Sequence, residues 1–249
     1  MEYDKSALDE VRKSRLLISQ LDEWIVALIE PYLGARIIEI GCGHGNIIRH
    51  FSDRELVIGI DIDEPSVTFV NSAFGLSGNT QAYVGDVNGP EFLDFAKFEC
   101  DTAISLNVLE HIEDDELSLR QIRKILSPGG RLILVLPAHE FLYGSMDRSI
   151  GHFRRYTRQS LGRKLAKAGL EVQFQEYVNP IGAVGWLVNG RALKRTVPPQ
   201  AQLRMFNHLM PVISKLGNVT RGGFGLSLMS VSANPPTLLT SKTPDTLAK

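Results

Sequence analysis

Cysteine is nearly absent from this chain of 249 residues: only Cys42 and Cys100 occur, in segments that read as a turn and a strand. Two such residues indicate neither a disulfide framework nor a zinc site, and a reducing cytoplasm is the expected setting. Long apolar runs are missing as well, since no stretch of about 18 apolar residues could form a membrane span. The start, Met1-Glu2-Tyr3-Asp4-Lys5-Ser6, carries acids and no apolar core of signal-peptide type. Neither charge is in excess. With 27 Lys and Arg against 28 Asp and Glu, the formal net charge is -1, which gives no bulk attraction to nucleic acid or anionic lipid. Internal repeats are also missing. What remains, 43% hydrophobic and 22% charged residues, is an ordinary globular make-up, with length enough for one elaborated α/β domain.

The pattern of apolar residues sets the organisation. Leu8, Val11, Leu16, Leu17, Leu21, Trp24, Ile25, Leu28 and Ile29 recur at helical spacing, which predicts an N-terminal helical cap over residues 1–34. Strands are expected near 36–40, 56–60, 81–85, 101–106 and 131–136, with helical segments around 45–52, 64–74, 90–97 and 114–126 between them. That alternation is a βαβ series. It predicts a Rossmann-like, doubly wound, mostly parallel α/β sheet whose strand carboxyl ends share one ligand-binding rim. Ser127-Pro128-Gly129-Gly130 stops the last of these helices. Beyond it come a long loop at 137–156, a helix at 157–168, a strand at 171–178, two helical stretches at about 181–195 and 200–216, and a final antiparallel strand through 224–231. The domain is thus expected over 35–236, with a helical insertion at about 180–217. The polar segment 237–249 reads as a mobile tail.

The richest stretch runs from strand to turn: Glu39-Ile40-Gly41-Cys42-Gly43-His44-Gly45-Asn46. Glycines there allow close backbone approach by a ligand, and Asp61, 20 residues past Gly41 at the end of the second strand, suits a ribose. A dinucleotide fingerprint, however, needs its third glycine where Asn46 stands. The Lys-Ser/Thr pair of a nucleotide P-loop is missing too. A second acid, Asp86 in Tyr83-Val84-Gly85-Asp86-Val87, closes the third strand and suits an exocyclic amine such as that of adenine.

Together with Leu109-Glu110-His111-Ile112, these motifs resemble those of the class I S-adenosylmethionine-dependent methyltransferases, over about residues 35–136. The resemblance implies that Gly41 and Gly43 line the methionine portion of S-adenosylmethionine and that Asp61, beside Ile62, holds the ribose. It places the adenine at Asp86 and Val87, and Asn107 beside the cofactor. Glu39 would order the glycine loop. Gly151-His152-Phe153-Arg154-Arg155-Tyr156 and the inserted helices look like a bacterial branch acting on small molecules or on lipid and glycan intermediates. An NAD-dependent oxidoreductase or epimerase is the alternative, as is a binding subunit without turnover. No Asn/Asp-Pro-Pro-Tyr/Phe motif follows the fourth strand, where Ser105-Leu106-Asn107-Val108 stands, so a nucleic-acid substrate is not expected.

Methyl transfer to oxygen or nitrogen requires an aligned nucleophile and a base for its proton, and no metal. The candidate bases are His111, His139 and His152. Tyr143, Arg154, Arg155, Tyr156 and Trp186 are the candidate contacts for a small, partly apolar acceptor. The apolar insertion has three functional readings: a lid over that acceptor, a contact within a homodimer, or a peripheral membrane anchor aided by Arg191, Lys194 and Arg195. Plain packing against the sheet stands beside all three.

Overall fold

The computed structural model describes residues 19–217 and 223–236. The expected sheet is present. Strands β1 (Arg36–Ile40), β2 (Leu56–Asp61), β3 (Thr80–Val84), β4 (Thr102–Leu106), β5 (Arg131–Pro137), β6 (Glu171–Val178) and β7 (Ser227–Ala233) form one seven-stranded sheet in the order β3-β2-β1-β4-β5-β7-β6. The first five are parallel, while β7 pairs antiparallel with both β5 and β6. Strand order reverses between β1 and β4, the switch point where such sheets bind ligands.

Apolar runs made the inner strands because both faces of a covered parallel sheet are buried. Side chains alternate between two cores. Ile38, Ile58, Leu132 and Leu134 pack on one face, and Ile37, Val57, Ile133 and Val135 on the other.

The helices are α1 (Ser19–Ile29), α2 (Glu64–Phe74), α3 (Asp115–Ile125), the short α4 (Ser145–Ser149), α5 (Arg158–Ala168), α6 (Pro180–Trp186) and α7 (Gln200–Gly217). Asp63 caps α2, accepting from the Ser66 N–H at 3.1 Å. Thr157 and Ser160 form a reciprocal box at the start of α5, which ends on left-handed Gly169.

Several expectations need correction. The helix expected at 45–52 is a series of turns with one 3-10 turn, Ile48–His50. Gly45 takes φ +75°, outside the helical region, and Phe74 and Val70 pack where its Cβ would stand. Residues Pro90–Phe98 form a 3-10 helix, whose three-residue repeat puts Phe92 and Phe95 together in the core. The stretch expected as one helix at 181–195 is α6 continued by a π-helical turn, Leu187–Ala192. The last strand begins three residues later than expected and runs to Ala233. Of the N-terminal cap, α1 and a 3-10 turn at Glu30–Tyr32 lie within the described residues; residues 1–18 and the tail 237–249 lie outside them.

Candidate active site

The glycine turn joins β1 to the neighbouring strand before it reaches a ligand. The N–H groups of Gly41 and Cys42 both donate to the Ile60 carbonyl, at 2.7 and 3.1 Å. Asp61 then fastens the turn: its Oδ2 accepts from the Gly43 N–H at 2.8 Å and its Oδ1 from the Asp63 N–H at 2.9 Å. Helix capping falls to Asp63, which leaves Asp61 for the rim. Gly43 has φ +49°, and nothing lies within 4 Å of the point where a Cβ would stand. The backbone there faces open space.

The other rim residues surround that opening at strand ends. Ile62 is 75% exposed, an unusual state for isoleucine beside a sheet and one suited to covering a flat ring. Asp86 is exposed and its Oδ1 accepts from the Asn88 N–H, whereas the Val87 side chain is buried in the core, so Val87 can offer a ligand only its backbone. Asn107 follows β4 with φ +54° and donates its N–H to the Val135 carbonyl. Its neighbour Val108 touches the space beside Gly41, bringing the glycine turn against the β4 rim. A turn with an open face, a carboxylate at its edge and an exposed apolar side chain beside it are groups that fit S-adenosylmethionine.

Beside Asn107 opens a cavity of about 900 Å3. Its walls are mostly apolar and come from α1 (Trp24, Ile25), the α6 region (Val184, Trp186) and α7 (Phe206, Leu209). Its titratable groups are Glu110, His111 and His152, which line it together with Asn107.

The strongest order there belongs to Asp147, a fully buried residue of α4. Its Oδ1 accepts from His152 Nδ1 at 2.9 Å and from Arg155 Nε at 2.8 Å. Its Oδ2 accepts from the Gly144 N–H at 2.9 Å and from Trp186 Nε1 at 3.0 Å. Burial alone would raise the Asp147 pKa, but the His152 hydrogen bond and the Arg155 charge bring it below the usual carboxylate value. An ionised Asp147 requires the proton of a neutral His152 to sit on Nδ1, which leaves the Nε2 lone pair free. Nε2 lies 3.7 Å from Glu110 Oε1. Glu110 is fully buried with no hydrogen-bond partner for either carboxyl oxygen, and burial pushes its pKa up to about 7. The His111 ring meets that of His152 edge-on, centroids 4.7 Å apart. One ligand atom each from Glu110, His111 and His152 lies within 4.8 Å of the others, a carboxylate and two imidazoles of the kind divalent cations accept.

Several of the expected acceptor contacts are structural instead. The Arg154 guanidinium pairs with Asp115 at 2.8 Å and donates to the Glu113 carbonyl, and the Tyr156 hydroxyl donates to Asp115 at 2.8 Å. Together with Lys164 they clamp α5 to the start of α3. Arg155 is buried on Asp147 and also donates to the Ala138 carbonyl. Tyr143 donates its hydroxyl to the His152 carbonyl and stands outside the cavity wall. The basic run thus spends its charge inside the protein.

His139 does not line the cavity. Pairing of Ala138 and His139 with Tyr156 aims the ring away from the cavity, into a stack with Tyr177 at 4.2 Å and with Phe141 and Phe224. Burial, then the Arg155 and Arg158 charges, lower its pKa. Of the expected acceptor-side groups, His111, His152 and Trp186 line the cavity. Sequence reasoning missed the central role of Asp147, although an acid five residues before a histidine, in an otherwise basic segment, is the available signal.

This sheet order, with a glycine turn and two acids on its first three strand ends, defines a class I S-adenosylmethionine-dependent methyltransferase fold. The chain matches the methyltransferase domain family over residues 14–175, and it belongs to that family. Among curated relatives, it is 25% identical over 154 residues to the ubiquinone biosynthesis O-methyltransferase of Pseudomonas aeruginosa, covering 56% of this chain and 66% of the relative. Another match is 28% identical over 153 residues, an uncharacterised 37.1 kDa transposon protein of Streptomyces fradiae; it covers 57% of this chain and 44% of the relative. The chain thus spans roughly half to two thirds of these relatives. Among solved structures, a possible histamine N-methyltransferase from Thermotoga maritima superposes with TM-score 0.59 at 16% identity, covering 91% of this chain and 95% of that one. At that identity the likeness concerns the fold. None of these matches favours the dehydrogenase or epimerase alternative.

Proposed function

We propose that the protein transfers a methyl group from S-adenosylmethionine to an oxygen or nitrogen of an acceptor with an apolar body. The observation that carries this reading is the His152–Asp147 pair, set in the polar corner of an apolar cavity that adjoins the glycine turn through Asn107 and Val108. When bound, the cofactor supplies a sulfonium methyl, an electrophile that needs no Lewis acid. Gly41 and Gly43 line its methionine portion, Asp61 accepts from its ribose hydroxyls, and Ile62, Asp86 and the Val87 backbone hold its adenine. The acceptor's apolar body lies along α1, α6 and α7, with its hydroxyl or amine in the polar corner. His152 Nε2 removes the acceptor's proton, and Asp147 stabilises the imidazolium that results. Glu110, whose pKa burial raises to about 7, offers a second proton position 3.7 Å away.

Calorimetry with S-adenosylhomocysteine, followed by methyl-transfer assays across alkylated phenols and amines, tests the reading. Cofactor binding with turnover that rises with acceptor apolarity supports it. No cofactor binding by the folded protein sinks it.

A further inference from the structure

Charge is distributed very unevenly along this chain. Residues 177–244 contain seven Lys and Arg and no Asp or Glu, so the rest of the chain holds 20 Lys and Arg against all 28 acids, a net charge of -8. The acid-free stretch includes the α6–α7 insertion, where Arg191, Lys194, Arg195 and Arg204 are exposed. A chain that is neutral overall is therefore strongly polar from end to end.

The same insertion exposes apolar side chains. Leu187 and Leu193 stand in solvent at 38% and 53% exposure, beside Arg191 and Lys194. Ile181, Val184, Val188, Met205 and Leu209 are exposed and also line the cavity, which makes them its rim. Scattered apolar residues on a surface need no explanation, but an apolar rim around an apolar cavity, within a cationic and acid-free segment, does.

We propose that the α6–α7 insertion docks on the surface of an anionic lipid membrane, with the cavity mouth turned toward the bilayer. Cations in the insertion meet anionic headgroups, while the net charge of -8 on the remainder is repelled and sets the orientation. Leu187, Leu193 and the rim enter the boundary between headgroups and acyl chains, as on amphipathic surface helices. No helix among the described residues is long and apolar enough to cross a membrane, so the contact is peripheral. A bilayer fits better than an acidic protein because the rim continues directly into the cavity. An apolar acceptor dissolved in lipid then enters without crossing water. The direction of the mouth rests on the acceptor reading above; docking itself does not.

Co-sedimentation of the full chain with vesicles, without cofactor, is the test. Vesicles of phosphatidylcholine with about one third phosphatidylglycerol should bind the protein at about 0.1 M salt, with binding lost at about 1 M salt and on phosphatidylcholine alone. The double variant Arg191→Gln/Lys194→Gln should bind about 30-fold more weakly, about 1 kcal/mol for each cation. Leu187→Ser/Leu193→Ser should also weaken it. Thermal melts check that both variants fold, and Arg204→Gln provides an independent change on α7. Failure to bind anionic vesicles overturns the proposal, as does equal binding to neutral ones or binding that the variants leave unchanged. A concentration-dependent dimer that the leucine variant disperses, without vesicle binding by the parent, would assign the surface to a second copy instead. Vesicle binding by a folded protein that binds no S-adenosylhomocysteine in calorimetry would retain docking and reject the methyl-transfer reading.

Discussion

Asp61 and Asp63 show how close in sequence a residue proposed to bind ligand and a helix cap can lie. Asp63 spends its carboxylate on the Ser66 N–H, while Asp61 holds the Gly43 N–H with Oδ2 and keeps lone pairs toward the rim. Replacing Asp61 by Ala should weaken S-adenosylhomocysteine binding by about 1.5–3 kcal/mol, since a hydrogen bond to a charged acceptor is lost; unchanged affinity in calorimetry would reject the assignment. His152→Gln should lower kcat by roughly 10²–10⁴ while leaving cofactor affinity in place, the mark of a lost proton acceptor. Glu110 adds a pH signature. Burial raises its pKa from 4.5 to about 7 in the folded protein, so its contribution to stability is complete below about 4.5 and is lost as pH rises through 7. The neutral variant Glu110→Gln lacks that slope. Relative to the parent it should gain about 3 kcal/mol between pH 4.5 and 8, read from urea unfolding at both values; parallel pH profiles would exclude a carboxyl with a raised pKa. None of these pairings, apart from the Asp61 expectation, can be read from residue types, because Asp147, His152 and Glu110 meet only when α4 folds under the β4 rim.

Helix boundaries were legible where a local chemical signal marked them. Asp63-Glu64-Pro65 starts α2, and Thr157 to Gly169 brackets α5, because caps and left-handed glycines act within a few residues. Asp63→Ala should therefore cost about 0.5–2 kcal/mol of stability in thermal or urea unfolding and leave cofactor affinity unchanged. That outcome separates the cap from its neighbour Asp61. The segment at 45–52 has no such cap: its apolar spacing fits a helix, but the chain there runs through turns and one 3-10 turn, and Phe74 stands where a Gly45 Cβ would. At 90–97 the expected helix is present with a 3-10 repeat, which sets Phe92 beside Phe95. The basic run 152–156 changed meaning at the same scale. Neighbouring residues there point to different partners, Arg155 to Asp147 and Arg154 and Tyr156 to Asp115, so residues expected to contact the acceptor are held by two buried carboxylates.

Across the whole molecule, the sheet supplies the rim proposed to hold the cofactor, and the elements outside its βαβ core wall the cavity proposed for the acceptor. The cavity is walled by α1, the α6 region and α7, which are separated in sequence by the entire parallel sheet. An acceptor series with lengthening alkyl chains should therefore show KM falling about fourfold per methylene, about 0.8 kcal/mol each, until the cavity is filled. A KM independent of chain length would show that the apolar walls do not hold the acceptor. By itself the sequence determined the sheet, its rim, the glycine turn and the two acids, because periodicity and turn chemistry act over short distances. Only the tertiary structure decided which histidines line the cavity, which arginines are already paired, and where a fully buried glutamate meets an imidazole. Those outcomes depend on burial and on partners far apart in the chain, which no local pattern of residues records.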